Sequence, residues 1–206
     1  MGPTHFFEES TRICGFRLIA GLDEAGRGPL AGPVVAAAVI LPRRCSFKGL
    51  RDSKLLTESQ REKLYDDIGS RALGWSVGLA TEKEIDRLNI LGATRVAFSR
   101  AIEGLSPQPD FLLLDAMRLS RVPISQQAII KGDRLSVSIA AASVIAKVSR
   151  DRLMLKYHDR YPQYQFHIHK GYPTPEHLKL LAHFGPCEGH RQSFRPVRAC
   201  KGSSMA

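Results

Sequence analysis

The sequence predicts an α/β fold in which a mixed five-stranded sheet is flanked by helices and followed by a C-terminal helical extension. Five short apolar runs bounded by turn residues are typical of strands, and most lack polar alternation, which indicates burial on both faces. The connection between the first two runs is too short for a helix. We therefore expect an antiparallel meander for the first three strands and parallel pairing for the last two. The predicted strands are Leu18–Leu22, Val34–Leu41, Gly74–Ala80, Phe111–Leu114 and Ala128–Ile130.

Helices are predicted between and after these strands. The segment 57–60, Thr-Glu-Ser-Gln, resembles a capping box and predicts a helix that continues to Arg71. Residues 81–103 predict two helices with a break near 89–92. The stretch Ser138–Tyr157 begins apolar and ends charged, as a helix that leaves the core would, and Pro175–Phe184 predicts a further short helix. We expect a leader at 1–17, a core domain at 18–150 and a helical extension at 151–206.

The composition indicates a globular basic protein, whose charge suits a nucleic acid and also an anionic membrane, an acidic ligand or a merely soluble protein. The 206 residues include 30 Lys and Arg against 20 Asp and Glu, for a formal charge of +10. Basic surfaces bind nucleic acids because each neutralised phosphate releases counterions. The four cysteines form no Cys-x-x-Cys pair, and no apolar run approaches the roughly 18 residues of a membrane span. We expect a cytoplasmic monomer that binds nucleic acid and not membranes.

Acidic residues follow three of the predicted buried strands. Asp23 and Glu24 follow the first, Asp115 ends the fourth, and Asp133 follows the fifth in a Lys-Gly-Asp turn. A sheet interior rejects unpaired charge, and ligands of open α/β sheets bind at the carboxyl ends of strands. Taken singly, each acid also suits a polar turn, and Asp133 suits a helix cap. Adjacent strand residues point to opposite faces, so Asp23 and Glu24 can share one site only where the strand ends or is distorted.

These four carboxylates are the candidate metal-binding and catalytic residues. Carboxylates without His or Cys suit hard cations that prefer oxygen, such as Mg²⁺ or Mn²⁺. Two such ions about 3.5–4 Å apart can activate a water and stabilise the leaving oxygen of a phosphoryl displacement. The same ions would cancel the repulsion among the carboxylates and between them and a phosphate.

Gly26, Arg27 and Gly28 form a candidate substrate-binding turn. Glycine lets a ligand approach the backbone closely, and exposed amides beside an arginine suit a phosphate or a sugar hydroxyl. A dinucleotide-binding turn is an alternative interpretation, because glycines at 26, 28 and 32 follow a strand. That motif requires the glycines to open a helix, whereas Pro29 and Pro33 intrude here and a strand is predicted next.

The C-terminal region concentrates histidines, aromatic residues and basic residues. Six of the seven histidines fall between residues 158 and 190, but no recognised zinc-ligand spacing connects them to a cysteine. Aromatic residues between 161 and 172 interleave with His and Lys, which is typical of surfaces that stack bases and also of helices packed on a core. A basic tail either is solvated or contacts DNA. Its members are Arg191, Arg195, Arg198 and Lys201.

Several ordered motifs together resemble bacterial ribonuclease HII. The segment 23–34, Asp-Glu-Ala-Gly-Arg-Gly-Pro-Leu-Ala-Gly-Pro-Val, looks like the signature of that family. Ordered motifs at compatible spacing are far more specific than any single motif, and here they run from about residue 18 to 198. The others are Asp52–Lys54, Leu88–Thr94, Lys131–Asp133, Ala141–Asp151, His169–Thr174 and His190–Phe194.

The resemblance implies a ribonuclease H-like fold and an endoribonuclease acting on RNA/DNA hybrids. It also implies nicking of duplex DNA on the 5′ side of embedded ribonucleotides, leaving 3′-hydroxyl and 5′-phosphate ends. The turn 26–28 would contact the ribonucleotide, Tyr172 would pack on the sugar beside the cut, and Lys54 would hold a phosphate. By motif match, the acids that bind Mn²⁺ or Mg²⁺ and catalyse hydrolysis would be Asp23, Glu24, Asp115 and Asp133.

Three positions depart from the family pattern. Leu55 stands where a second lysine is common, Ala116 follows Asp115 where glycine is usual, and Arg195 replaces a frequent glycine. The short segment before the first strand favours ribonuclease HII over ribonuclease HIII, which carries an N-terminal substrate-binding domain. Two alternatives to this enzyme remain: a non-catalytic nucleic-acid-binding protein with the same fold, and an oxidoreductase with a nucleotide cofactor.

Overall fold

All five predicted strands lie in one mixed sheet in the computed structural model, which describes residues 2–50, 53 and 56–202. The strands are β1 Ile19–Ala25, β2 Val34–Ile40, β3 Gly74–Ala80, β4 Phe111–Asp115 and β5 Ser125–Ile129. Their order across the sheet is β3-β2-β1-β4-β5. Antiparallel pairing joins β1 to β2 and β2 to β3, while β4 pairs parallel with β1 and β5. The predicted meander and the predicted parallel pair are both confirmed.

The helices also match most of the predictions. They are α1 Phe6–Ile13, α2 Glu58–Arg71, α3 Glu82–Glu103, α4 Gly132–Leu135, α5 Val137–Arg160, α6 Phe166–His169, α7 Pro175–Phe184 and α8 Arg195–Gly202. The capping box at Thr57 is present, with the Thr57 side chain accepting from the Gln60 amide. The predicted break in α3 occurs at Asn89, where φ is 58° and ψ is 172°. In the described part of the chain, none of the helices is long and apolar enough to cross a bilayer.

Helices cover both faces of the sheet. On one face, α3 packs Ala97 and Phe98 against a cluster that includes Leu22 of β1. On the other face, α2 and α5 pack against alternate residues of β2, with Val144 of α5 in the same buried cluster. Because strand side chains alternate, Leu22 faces α3 while Asp23 faces α5. This alternation determines which side of the sheet each candidate acid occupies.

Residues 2–17 of the predicted leader are partly buried. They contain α1, and Glu8 on this helix is only 4% exposed. Glu8 Oε1 accepts hydrogen bonds from Ser136 Oγ at 2.6 Å and from the Ser138 amide at 3.0 Å. The carboxylate therefore occupies the N-terminal end of α5, where free amides and the helix dipole favour a negative charge. This contact joins residues 130 positions apart in the chain, so it depends on the tertiary fold.

The structure also bears on the expected boundary at residue 150 and on the fifth strand. Helix α5 runs without interruption through residue 150, so the core and the C-terminal extension share one helix. The fifth strand is Ser125–Ile129 and lies at an edge of the sheet, where only Ile129 is buried. Its expected burial on both faces was therefore wrong, and Ile130 just after it is 77% exposed.

Candidate active site

Asp23 and Asp115 lie at equivalent positions of the adjacent parallel strands β1 and β4. The register pairs Leu22 with Leu114, so both acids occupy the next position at the carboxyl edge. Leu22 and Leu114 pack on the α3 side, so alternation turns both carboxylates towards α5. Strand β1 remains paired through Ala25 and ends there, so Glu24 lies at the end of the strand, where adjacent carboxylates can share one site. Glu24 also accepts from Arg27 Nη1 at 3.0 Å.

Asp23 is a buried acid that is exposed to the negative charges of two other acids. Burial raises its pKa well above the ordinary value, and the charges of Glu24 and Asp115 raise it further. Hydrogen bonds from the Ser143 hydroxyl and from the Glu24 amide, the latter 2.8 Å from Oδ1, partly offset these effects. Ser143 Oγ is in turn 2.8 Å from Ser53 Oγ. This role of Ser143 was not predicted, because its only signal in the sequence is a polar residue in an alanine-rich helix.

Asp133 is linked to Asp115 through the start of α4. The Gly132 amide donates to Asp115 Oδ1 at 2.8 Å, and Asp133 is the next residue along the chain. Asp133 is buried in the first turn of α4. The N-cap of this helix is Lys131, at φ 58°, so Asp133 does not occupy the cap position that its sequence context suggested.

The chemistry of the four acids suits a divalent cation. They offer only oxygen donors, which hard ions such as Mg²⁺ and Mn²⁺ prefer. Within the described ranges, no three His, Cys, Asp or Glu side chains are already arranged as a metal site. What the structure provides is a concentration of negative charge around the buried Asp23, and a cation would neutralise it.

The glycine turn lies between β1 and β2, and no helix begins there. The dinucleotide-binding interpretation is therefore wrong, because its glycines must open a helix. Gly26 has φ 96°, and a Cβ at this position would lie 2.0 Å from Arg150 Nε and 2.9 Å from the Pro33 carbonyl oxygen. Only glycine suits this combination of left-handed backbone and close packing.

Two buried arginines hold the backbone of this turn. Arg150 donates to the carbonyl oxygens of Pro33 and Ala31 at 3.2 and 3.1 Å and to that of Lys170 at 3.0 Å. Arg191 donates to the carbonyl oxygens of Gly32, Arg27 and Gly26 at 2.9, 3.0 and 2.5 Å. Both side chains are 0% exposed.

Arg191 does not belong to the solvated or DNA-contacting tail in which its sequence context placed it. Burial, followed by the charge of Arg150, lowers the pKa of Arg191 to about 9, so it remains cationic at neutral pH. Arg195 and Arg198, by contrast, are exposed. The sequence carried no signal for the difference, because the carbonyls that Arg191 binds lie about 160 residues earlier in the chain.

Tyr172 lies beside the glycine turn. Its Cε1 is 3.9 Å from the position that a Cβ of Gly28 would occupy, and its side chain is partly exposed. The ring lies 5.7 Å from Arg150 Cζ and 5.8 Å from Lys147 Nζ. The structure therefore brings Tyr172 and the turn together, as the motif match implied. Lys54, the other residue named by that match, lies outside the described residues.

A buried histidine pair supports the backbone of Tyr172. His177 Nδ1 is 2.9 Å from the Tyr172 carbonyl oxygen, and His177 Nε2 is 3.1 Å from His190 Nε2. His190 Nδ1 accepts from the Cys187 amide at 3.1 Å. These contacts define one set of neutral tautomers, in which His190 donates to His177 and His177 donates to the carbonyl. The histidines are thus hydrogen-bonded to each other and to backbone, in agreement with the lack of zinc spacing.

Low pH should destabilise the fold, because it favours protonation of His177 and His190. Burial lowers the pKa of His177 to about 4 and that of His190, which His177 also repels, to about 3. In the unfolded chain both titrate near 6.5, so the unfolded state binds more protons below that pH. The stability that the pair contributes should be complete above pH 6.5. Between pH 6.5 and pH 4, the free energy of unfolding should fall by up to about 1.4 kcal/mol per pH unit for each histidine.

Denaturant unfolding at pH 7, 6, 5 and 4.5 measures this loss. We expect His177→Gln to flatten the pH dependence, because glutamine takes up no proton. His183→Gln, at an exposed position of α7, is the matched control and should keep the wild-type slope. Equal slopes in the wild type and His177→Gln would show that the pair does not titrate as expected.

Comparison with known proteins agrees with this geometry. The family model described as Ribonuclease HII matches residues 20–197. Ribonuclease HII of Ruminiclostridium cellulolyticum is 54% identical over 188 residues, which cover 91% of this chain and 74% of that one. The Bacillus subtilis ribonuclease HII is 53% identical over 193 residues, or 94% and 75% of the two chains. The crystal structure of ribonuclease H2 from Pyrococcus horikoshii superposes with a TM-score of 0.75 at 28% identity, covering 91% of this chain and 98% of that one.

The sheet order, the flanking helices and these similarities define a protein of the ribonuclease H-like class. Within that class, the chain belongs to the ribonuclease HII family. It is therefore an endoribonuclease of the ribonuclease H type 2 group, which acts on RNA/DNA substrates.

Proposed function

We propose that this protein is a metal-dependent endoribonuclease that cleaves the RNA strand of RNA/DNA hybrids and nicks duplex DNA 5′ of embedded ribonucleotides. The observation that carries the proposal is the buried Asp23 carboxylate, crowded by the charges of Glu24 and Asp115. Such crowding costs stability and is expected where cations and a phosphate bind. The formal charge of +10 favours a polyanionic substrate.

In this proposal the carboxylates hold the cofactor and stay oriented through fixed hydrogen bonds. Asp23, Glu24, Asp115 and Asp133 would bind Mg²⁺ or Mn²⁺. These residues would hold a cation that, when bound, would supply an activated water and stabilise the leaving 3′-oxygen, so that hydrolysis would leave 3′-hydroxyl and 5′-phosphate ends. Ser143 keeps the Asp23 carboxylate in place, and the Gly132 amide does the same for Asp115. Fixed carboxylates need little reorganisation when substrate binds.

The glycine turn and Tyr172 would choose the position of the cut. No protein acceptor is present for the Arg27 and Gly28 amides in the described part of the chain. These amides are available to the 2′-hydroxyl and phosphate of a ribonucleotide, and the partly exposed Tyr172 ring is available to the neighbouring sugar. The helical extension, from the end of α5 onwards, would bind the duplex around this point.

A nicking assay with matched duplexes tests the proposal. A DNA duplex with one ribonucleotide should be cut 5′ of that ribonucleotide in Mg²⁺ or Mn²⁺, and an RNA/DNA hybrid of equal length should be cut in its RNA strand. EDTA should abolish both reactions, and added Mg²⁺ should restore them. The product ends should support extension by a DNA polymerase, as 3′-hydroxyl ends do. Equal cutting of the all-DNA duplex would contradict the substrate, and cutting in EDTA would contradict the metal requirement.

A further inference from the structure

Arg150 and Arg191 make up an unusual buried pair that the established activity does not explain. Each is fully buried, and each directs all of its described hydrogen bonds to backbone carbonyl oxygens. No ion pair is described for either residue; Glu82 and Asp86 act on Arg191 only through longer-range charge. Buried cations without an ion pair are costly. Stability alone is therefore a poor reason for two of them to converge on one turn.

Two of the three carbonyls that Arg191 binds, those of Gly26 and Arg27, belong to peptides whose amides have no acceptor among the described residues. A peptide unit is planar and trans, so its C=O and N–H point in opposite directions. Arg191 holds the carbonyl oxygens of Gly26 and Arg27 inward, at 2.5 and 3.0 Å. The amides in those same two peptides are those of Arg27 and Gly28, which must point outward. Arg191 therefore sets the direction of both free amides of the turn.

Arg150 connects the turn to the tyrosine. It binds Ala31 and Pro33 on the far side of the turn and the Lys170 carbonyl two residues before Tyr172. The Leu30 amide also donates to the Gly171 carbonyl at 2.8 Å, next to this contact. One guanidinium thus spans the two segments whose separation determines the width of the gap between Gly28 and the Tyr172 ring.

We propose that Arg191 and Arg150 are positioning residues for ribonucleotide recognition: Arg191 orients the Arg27 and Gly28 amides, and Arg150 holds Tyr172 at a fixed distance from them. Neither arginine touches the substrate, since both side chains are fully buried. This inference rests on the proposed function, because it assumes that the turn reads the ribonucleotide.

Binding without catalysis tests the inference. Fluorescence anisotropy in EDTA gives Kd for a duplex with one ribonucleotide and for the same duplex made only of DNA. Recognition is measured by the Kd for the all-DNA duplex divided by the Kd for the duplex with one ribonucleotide. This ratio does not depend on the fraction of protein that is folded. Arg191→Lys and Arg150→Lys keep the charge but lose the planar fork, so one nitrogen must replace three donors. We expect each to reduce the ratio about tenfold, the value of one well-oriented hydrogen bond, while affinity for the all-DNA duplex stays the same.

Control variants separate positioning from simple destabilisation. Arg152→Lys changes an exposed arginine on the same helix and should keep the wild-type ratio. If the two lysine variants unfold at lower temperature but keep the ratio, both arginines are merely structural and the inference is overturned. Should either lysine variant fail to fold, the other is measured, together with Arg191→Gln and Arg150→Gln. A wild-type protein that binds both duplexes equally would contradict ribonucleotide reading by the turn, and hence the proposed function, before any variant is compared.

Discussion

Asp23→Asn should abolish cleavage and at the same time make the metal-free protein more stable. The substitution removes a proposed metal ligand, and a loss of several kcal/mol of transition-state stabilisation lowers kcat about a thousandfold or more. The same substitution removes a buried charge that Glu24 and Asp115 repel. Because asparagine has nearly the same shape, the surrounding packing should remain intact.

The pH dependence of the stability gain follows from the raised pKa of Asp23. A carboxyl whose folded pKa lies above its unfolded value contributes stability at pH values below the unfolded pKa and loses it as pH rises through the folded pKa. At pH 7 we expect Asp23→Asn to gain about 1 to 2 kcal/mol over the wild type without metal. The gain should shrink as pH falls and vanish only below pH 3.8, the ordinary pKa, where the wild-type carboxyl is protonated in both states.

Thermal unfolding and a cleavage assay, each with and without Mg²⁺, measure both effects. Saturating Mg²⁺ should raise the Tm of the wild type by mass action and raise that of Asp23→Asn less. Asp159→Asn, an exposed acid on α5, should change neither cleavage nor the response to Mg²⁺. Retained cleavage in Asp23→Asn would exclude Asp23 from the metal site, and a stability gain independent of pH would contradict the repulsion argument.

Gly21→Ala should prevent folding. Gly21 lies in the centre of β1 on the face that meets α5, and a Cβ there would be 2.1 Å from the Ser138 carbonyl carbon and 2.4 Å from the Ile139 amide nitrogen. These are backbone atoms, so no side-chain rotation relieves the clash, and helix and strand must separate. We expect a loss of at least about 4 kcal/mol, a large part of the 5–15 kcal/mol that stabilises a typical domain.

Circular dichroism and the yield of soluble protein measure this effect. Gly28→Ala is a suitable control for stability, because the nearest atom to its new Cβ would be Tyr172 Cε1 at 3.9 Å, an ordinary contact. We expect Gly28→Ala to melt near the wild-type temperature whatever happens to its activity. A Gly21→Ala protein that melts within a few degrees of the wild type would mean that α5 can move away from β1 at little cost.

Local features of the chain were predictable from the sequence where neighbouring residues decide them. The capping box at Thr57, the break at Asn89 and the helix Pro175–Phe184 depend on residues a few positions apart, and the structure has all three. The departure at Ala116 has a local cause too. This alanine adopts φ 49°, a left-handed conformation that suits glycine, which is the usual residue in the family pattern.

Features that depend on distant parts of the chain were not predictable in this way. The burial of Glu8 depends on the start of α5, and the exposure of β5 depends on its place at the sheet edge. The pairing of His177 with His190 required the loop after α7 to fold back over that helix. Composition alone could not distinguish such residues from ordinary surface polar groups.

The sequence by itself determined the order and type of the elements and the placement of acids after buried strands, because hydrophobic periodicity and turn residues act over short distances. Only the tertiary structure decided that Asp23 and Asp115 share a face, since that depends on strand order and register. It also decided that Arg191, in an apparently basic tail, is buried beneath the glycine turn 165 residues earlier. The physical reason is that a buried cation needs polar partners, and the carbonyls that serve Arg191 are brought together only by folding.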